Sequence, residues 1–130
     1  SKSYKNELPL FAPEKALRKA VMRIVTDSKT VEEPKDPDTC NVFQIFRHFS
    51  TKEEQAEWAQ RYHAGGMGYG EIKQAAFEVI NREIKDYRAH YDSIIGDEAH
   101  LEGILAKGCE KARGVASGVL RRVRRKVGFR

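Results

Sequence analysis

The sequence predicts an all-α fold, a bundle of about five helices. Apolar side chains recur at the spacing of an α-helix, first at Leu17, Val21 and Ile24. Almost no stretch shows the sustained alternation with β-branched residues that is typical of strands. Helix-start and helix-stop residues separate the periodic segments, for example the pair Gly65-Gly66.

The first helix is expected to run from about 13 to 26, with Pro13 as its first residue, because a helix start leaves that N–H unpaired anyway. Asp27 and Ser28 are expected to end it. Asp38 or Thr39 can cap the second helix, whose apolar face predicts a dense core contribution from Val42, Phe43, Ile45, Phe46 and Phe49.

Thr51 and Glu54 fit a capping box at the start of the third helix, with Ser50 and Glu53 as the alternative shifted by one residue. Gly65 and Gly66 should end that helix. The fourth helix has the longest apolar face, and Gly96 should end it: Ile72, Ala75, Ala76, Val79, Ile80, Ile84, Tyr87, Tyr91 and Ile94.

The last helix is expected to run from about Glu98 to Lys126 behind an Asp97 cap, with Gly103 or Gly108 as possible bends. Its apolar positions form one stripe at helical spacing, which we expect to be buried. This apolar stripe consists of Leu101, Ile104, Leu105, Ala112, Val115, Ala116, Val119, Leu120, Val123 and Val127.

Two connections stand out between these helices. Residues 27–39 hold two prolines and five acids, and a loop of this length is typically functional or mobile. The glycine-rich segment 65–70 resembles a phosphate-binding loop only weakly, because no Gly-Lys-Ser/Thr follows it and no strand precedes it. A flexible helix–helix connection is the favoured interpretation.

Composition excludes several classes of protein. Charged residues make up 33% of the 130 residues, and no apolar run approaches the ~18 residues that a membrane span needs. No apolar segment of a signal peptide is visible near the N-terminus. Cys40 and Cys109 fit no metal-binding or redox spacing, which favours a reduced, cytoplasmic protein.

The net charge of +5 is unevenly distributed. Residues 107–130 hold nine basic residues and one acid, a local charge of +8, so the rest of the chain carries −3. A basic helix of this kind is either a solvated face or a surface that binds a polyanion. The phosphate-binding candidates are Lys107, Lys111, Arg113, Arg121, Arg122, Arg124 and Arg125.

No catalytic or metal motif lies in the predicted helices. His48, His63, His90 and His100 do not pair at ligand spacing with one another or with the cysteines, so no metal site is expected. The one chemically suggestive segment is Ser1-Lys2-Ser3, a lysine between two hydroxyls. Such groups can stabilise charge that develops on a leaving pyrophosphate.

The segments around this tripeptide resemble the part of bacterial tryptophanyl-tRNA synthetases that begins inside their KMSKS signature. The resemblance spans essentially the whole chain, and its segments 36–43 and 65–70 look like the tryptophanyl rather than the tyrosyl branch. The matching segments are 1–6, 9–12, 17–20, 24–28, 34–43, 65–70, Lys73 and 111–113.

This resemblance implies a C-terminal fragment of a class I aminoacyl-tRNA synthetase, without its Rossmann catalytic domain. Lys2 matches the second lysine of the signature, which in the family contacts the ATP phosphates, and Ser1 and Ser3 match its serines. Residues 1–12 would be the remnant of this ATP loop and a linker, and residues 13–130 the helical domain that binds the tRNA anticodon.

The intact enzyme is then expected to use ATP with Mg²⁺, tryptophan and tryptophan tRNA, and to form a homodimer in the cytoplasm. The fragment alone is expected to be inactive and to bind no cofactor. The alternative hypothesis is a self-contained helical module whose basic helix binds nucleic acid non-specifically or an acidic protein.

Overall fold

The computed structural model describes Tyr4 and residues 6–129, and in that part of the chain it contains five helices and no strand. The predicted all-α class and the number of helices are therefore confirmed. The helices are α1 (Glu14–Met22), α2 (Asn41–Phe49), α3 (Lys52–Ala64), α4 (Tyr69–Gly96) and α5 (Glu98–Lys126). Two compact units divide the chain, Ser1–Ala89 and His90–Arg130.

The first unit is organised around an aromatic core. Phe43 is fully buried, with its ring centroid 5.0 Å from Tyr62 and 5.7 Å from Phe46. Phe46 in turn meets the edge of Trp58, at 6.1 Å. The aliphatic side chains that complete this core come from α1, α2 and α4: Leu17, Val21, Val42, Ile72, Val79 and Ile80. The apolar positions predicted for α2 are those that build the core.

Helix α1 is shorter than predicted, because it ends at Met22 rather than near residue 26. Its last turn tightens, with the N–H groups of Arg23 and Ile24 donating to carbonyls only three residues back. The Lys73 ammonium also donates to the Met22 carbonyl, at 3.3 Å, and so satisfies an acceptor at the helix end. Pro13 lies one position earlier than predicted, as the N-cap.

The predicted cap of α2 is also wrong. The N-cap is Cys40, without a side-chain cap bond, while Asp38 is engaged elsewhere. The Asp38 carboxylate pairs with the guanidinium of Arg47, and the Asp38 N–H donates to the Asp36 carboxylate at 2.9 Å. These contacts hold Asp38 in the preceding loop and keep it from the first turn of α2.

Helix α3 begins with the predicted capping box. The Glu54 N–H donates to the Thr51 hydroxyl, and the Thr51 N–H donates to the Glu54 carboxylate at 2.8 Å. Hydrogen bonds from Arg82 and Thr51 lower the pKa of Glu54 from 4.5 to about 2. Since the pKa is lowered on folding, this carboxylate stabilises the fold above pH 4.5 and loses that effect as the pH falls toward 2.

The long loop 27–39 is held in place by a buried lysine. Lys35 is only 2% exposed, and its ammonium donates to the carbonyls of Thr30, Val31 and Glu33. The backbone N–H of Lys35 donates to the Tyr62 carbonyl at 2.7 Å, and this bond connects the loop to α3. Although it is long, the loop is therefore held by its own hydrogen bonds and by its contact with α3.

The start of this loop is fixed to α4 by a second polar contact. The Tyr69 hydroxyl donates to the Asp27 carboxylate at 2.6 Å. This bond, with the Lys29 N–H, lowers the pKa of Asp27, while burial and the same carboxylate raise the pKa of Tyr69. Tyr69, at the start of α4, therefore anchors the loop as well as the glycine-rich connection.

The glycines of the α3–α4 connection meet different surroundings. Gly65 and Gly66 both have positive φ, 74° and 75°, which confirms the predicted end of α3. A Cβ at Gly65 would lie 2.4 Å from the Glu32 carbonyl oxygen, whereas a Cβ at Gly66 would meet nothing within 4 Å. The close approach of loop 27–39 to the main chain thus requires glycine at position 65.

We expect Gly65→Ala to lower the free energy of unfolding by more than Gly66→Ala. The Gly66 variant bears only the cost of alanine at positive φ, about 1–2 kcal/mol, while the Gly65 variant must also displace the Glu32 carbonyl. Urea unfolding of the two variants measures the difference. Equal losses would show that loop 27–39 does not depend on this contact.

Helix α5 contradicts one prediction from the sequence. It starts at the predicted Asp97 cap, whose carboxylate accepts the His100 N–H at 3.0 Å, but it contains no buried residue. Most of the apolar stripe is exposed, with Val115 at 70% and Leu105 at 58%. Besides α5, the second unit holds only the last residues of α4 and a short tail, which leave most of the stripe uncovered.

Candidate nucleic-acid interface

The predicted ATP-loop residues Ser1, Lys2 and Ser3 lie outside the described residues. Residues 6–12, here called the linker, connect that segment to α1. Leu8 and Leu10 of the linker are half-buried and pack on the core of the first unit. Beside the linker, a cavity of about 500 Å³ opens toward α1 and α2, lined by both apolar and polar side chains.

All seven predicted phosphate-binding residues lie on α5, and all of them are exposed. At 3.6 residues per turn they occupy the half of the helix opposite the apolar stripe, with Arg113 at one border and Lys111 and Arg122 at the other. Within the described part of the chain, none of the seven forms an ion pair with an acid within 4.0 Å. We call this surface the basic face: Lys107, Lys111, Arg113, Arg121, Arg122, Arg124 and Arg125.

The basic face is densest near the C-terminal end of α5. There Arg121, Arg124 and Arg125 line a shallow depression of about 620 Å³, together with Gly128 and Phe129. Phe129 is 72% exposed, and its N–H donates to the Arg124 carbonyl at 2.9 Å, which fixes the chain after the helix. The depression thus combines three guanidinium groups with an accessible aromatic ring.

This arrangement suits a phosphate backbone rather than a small anion. Guanidinium groups bind phosphate oxygens through two parallel hydrogen bonds, and exposed cations contribute mainly salt-dependent affinity. The basic face extends over about five turns of one helix, so it can contact several phosphates in a row. An exposed aromatic ring beside it can stack on an unpaired base.

Among the described residues, no three His, Cys, Asp or Glu side chains come together as a metal site. Cys40 is buried against the Tyr62 hydroxyl at 3.2 Å, and Cys109 is exposed on α5. In the part of the chain that the structure describes, no helix has the length and apolarity needed to cross a membrane.

Two charged residues with structural contacts were missed by the sequence analysis, Lys35 and Arg88. Both are buried, and both donate to main-chain carbonyls: Lys35 to carbonyls of its own loop, and Arg88 to the distant carbonyl of Leu10 in the linker. A signal for Arg88 was present: it follows Ile80 and Ile84 at spacings of four, on the buried side of α4. Lys35, between two prolines, gave no comparable signal.

Comparison with known proteins gives matches over the whole length of this chain. The chain is 45% identical over 130 residues to a tryptophan–tRNA ligase of Rhodopirellula baltica, and covers 41% of that protein. It is 39% identical over 129 residues to the ligase of Campylobacter jejuni, and covers 40% of it. No protein-family model matches the chain.

Solved structures agree with these matches. A crystal structure of tryptophanyl-tRNA synthetase from Campylobacter jejuni superposes with a TM-score of 0.88 at 39% identity, covering 99% of this chain and 42% of that one. A second structure of the same enzyme, complexed with ADP and tryptophan, gives the same TM-score. The chain thus spans about two fifths of these relatives, and it corresponds over its whole length to the C-terminal helical part of tryptophan–tRNA ligases.

Proposed function

We propose that this chain is the helical, tRNA-binding part of a tryptophan–tRNA ligase, and that its first residues complete the ATP loop of the catalytic domain. The observation that supports the binding role most strongly is the basic face, seven exposed cations on one helix that form no ion pair with any acid among the described residues. The similarity of this chain, over its whole length, to part of the tryptophan–tRNA ligases supports the same role.

In this proposal the intact ligase joins tryptophan to ATP as tryptophanyl-adenylate, releases pyrophosphate, and transfers the tryptophanyl group to its tRNA. Lys2 contacts the ATP phosphates and stabilises the charge that develops on the leaving pyrophosphate, with Ser1 and Ser3 beside it. Mg²⁺ accompanies the ATP. The intact enzyme acts as a homodimer in the cytoplasm, and the isolated chain does not form adenylate.

The basic face binds the phosphate backbone of the tRNA in this proposal. Each contact displaces a counterion, so the affinity falls as salt rises. The Phe129 ring, next to Arg121 and Arg124, offers a stacking surface for a base in the same region. The phosphate contacts position the tRNA, and discrimination between tRNAs requires base contacts in addition.

A titration tests this role with a charge-matched control. We expect the triple variant Arg121→Gln, Arg124→Gln, Arg125→Gln of an intact ligase to bind tryptophan tRNA more weakly and with a salt slope reduced by about one per lost phosphate contact. The control variant removes three exposed lysines from α1 and α4, Lys15, Lys19 and Lys85, and should leave the slope nearly unchanged.

The same titration separates the alternative function. A domain dedicated to binding tryptophan tRNA is expected to favour that tRNA over an unrelated one, both at low and at higher salt. This is measured with the intact ligase. Equal affinities for the two tRNAs, with a slope reduced only in the arginine triple variant, would support a module that binds nucleic acid non-specifically. Equal slopes for the two triple variants would contradict tRNA binding by the basic face.

A further inference from the structure

The linker is held by a buried arginine that the proposed function does not yet use. Arg88, on α4, is 8% exposed. Its Nη1 donates to the Asn81 side-chain oxygen at 2.8 Å, while Nε and Nη2 both donate to the Leu10 carbonyl, at 3.4 and 3.3 Å. One guanidinium group thus joins α4 to a main-chain atom of the linker, 78 residues earlier in the chain.

A charged group is placed in this position at a cost that its hydrogen bonds must offset. Burial of an unpaired cation is strongly unfavourable. The planar guanidinium of arginine can donate hydrogen bonds to Leu10 and Asn81 at the same time. No described buried side-chain nitrogen or oxygen lacks a partner, so the site is complete as it stands. Lysine would keep the charge but could not reproduce the two-pronged contact with one carbonyl.

The linker is also held just before and just after this contact. Leu8 and Leu10 pack against the core, and between them Pro9 restricts the backbone. After it, the Ala12 N–H donates to the Pro9 carbonyl at 3.0 Å and closes a turn before α1. The main chain at Leu10 is therefore a fixed point from which the residues of the ATP loop extend.

We propose that Arg88 is a positioning residue for the ATP loop: by holding the Leu10 carbonyl, it fixes the point from which Lys2 reaches the ATP phosphates. This inference rests on the proposed function of Lys2. Lys2 precedes Leu10 by eight residues, a reach of at most ~26–29 Å for a fully extended chain. A fixed anchor restricts the volume that such a short tether samples, and so raises the fraction of time in which Lys2 can meet the phosphates.

The test uses an intact ligase that carries this chain. Arg88→Met is expected to lower kcat of adenylate formation about tenfold or more, since small misplacements of a positioning group have effects of this size or larger. The KM for tryptophan and its binding constant should change less than twofold, because neither depends on the loop. Arg88→Lys should recover part of kcat through the single hydrogen bond that it retains.

Arg82→Met is the matched control. It removes a guanidinium from the same helix, but one that is exposed and bonded to Glu54 rather than to the linker. Rates are normalised to the folded fraction by active-site titration, and kcat of this control should stay within twofold of the unmodified ligase. A drop as large as that of Arg88→Met would overturn the assignment to the linker contact.

A second variant covers the case in which Arg88→Met does not fold. Pro9→Gly leaves Arg88 intact but loosens the linker, and it should lower kcat in the same direction with tryptophan binding unchanged. Unchanged kcat in folded Arg88→Lys and Pro9→Gly would overturn the proposal. Lys2→Ala in the same ligase distinguishes failure of the two proposals. If Lys2→Ala lowers kcat and the linker variants do not, only the positioning role of Arg88 fails. An unchanged kcat in Lys2→Ala would contradict the proposed role of Lys2 itself.

Discussion

Replacing Lys2 with alanine in an intact ligase is expected to lower the rate of tryptophan activation by about 10²–10³-fold, the range for loss of one preorganised group that stabilises transition-state charge. The affinity for tryptophan should change little, because an interaction made mainly in the transition state contributes to kcat rather than to substrate binding. ATP–pyrophosphate exchange measures the rate, and a tryptophan titration measures the affinity.

Lys5→Ala is the control for this experiment. It removes the same charge from the same short segment, three residues beyond Lys2 and outside the serine–lysine–serine signature. Its exchange rate should stay within a few-fold of the unmodified ligase. An equal loss of activation and of tryptophan binding in Lys2→Ala would contradict the transition-state role, because it would indicate a general defect of the site.

The largest effect on stability is expected from Phe43→Ala. The Phe43 side chain is fully buried between Phe46 and Tyr62, and the deletion of a buried phenyl ring costs about 3–5 kcal/mol in free energy of unfolding. For a chain of this size, such a loss lowers Tm by roughly 10 °C or more.

Phe129→Ala provides the comparison, since the same ring is removed from a position that is 72% exposed. Substitutions at exposed positions usually change the free energy of unfolding by less than about 0.5 kcal/mol. Thermal melts followed by circular dichroism give both values. A Tm of Phe43→Ala equal to that of the unmodified chain would contradict the central place of this ring in the core.

The fold could be predicted from the sequence where local interactions decide it. The capping box of Thr51 and Glu54 and the glycine stop at Gly65 depend on neighbours within a few residues, and both are confirmed. The predicted cap of α2 was wrong because Asp38 binds Arg47 instead, a partner nine residues further along the chain. Helix ends of this kind depend on tertiary contacts that spacing alone does not contain.

The candidate site divides in the same way. The basic face of α5 could be predicted, since helical spacing places its residues on one side and residues 107–130 contain only one acid, Glu110. The role of Arg88 could not be derived, because its acceptor at Leu10 lies 78 residues away. The apolar stripe was also misjudged: periodicity shows that one side of a helix is apolar, but not which surface covers it.

The exposure of α5 on both sides has a thermodynamic consequence. A helix of 29 residues without buried side chains depends mainly on its own hydrogen bonds, its Asp97 cap and its helix propensity, which give marginal stability. Local opening of α5 therefore requires less free energy than global unfolding of the first unit. Any surface that covers the apolar stripe stabilises the helix by mass action, and the same event orders the seven cations on its opposite side. The conformational order of the basic face therefore depends on whether another surface covers the apolar stripe.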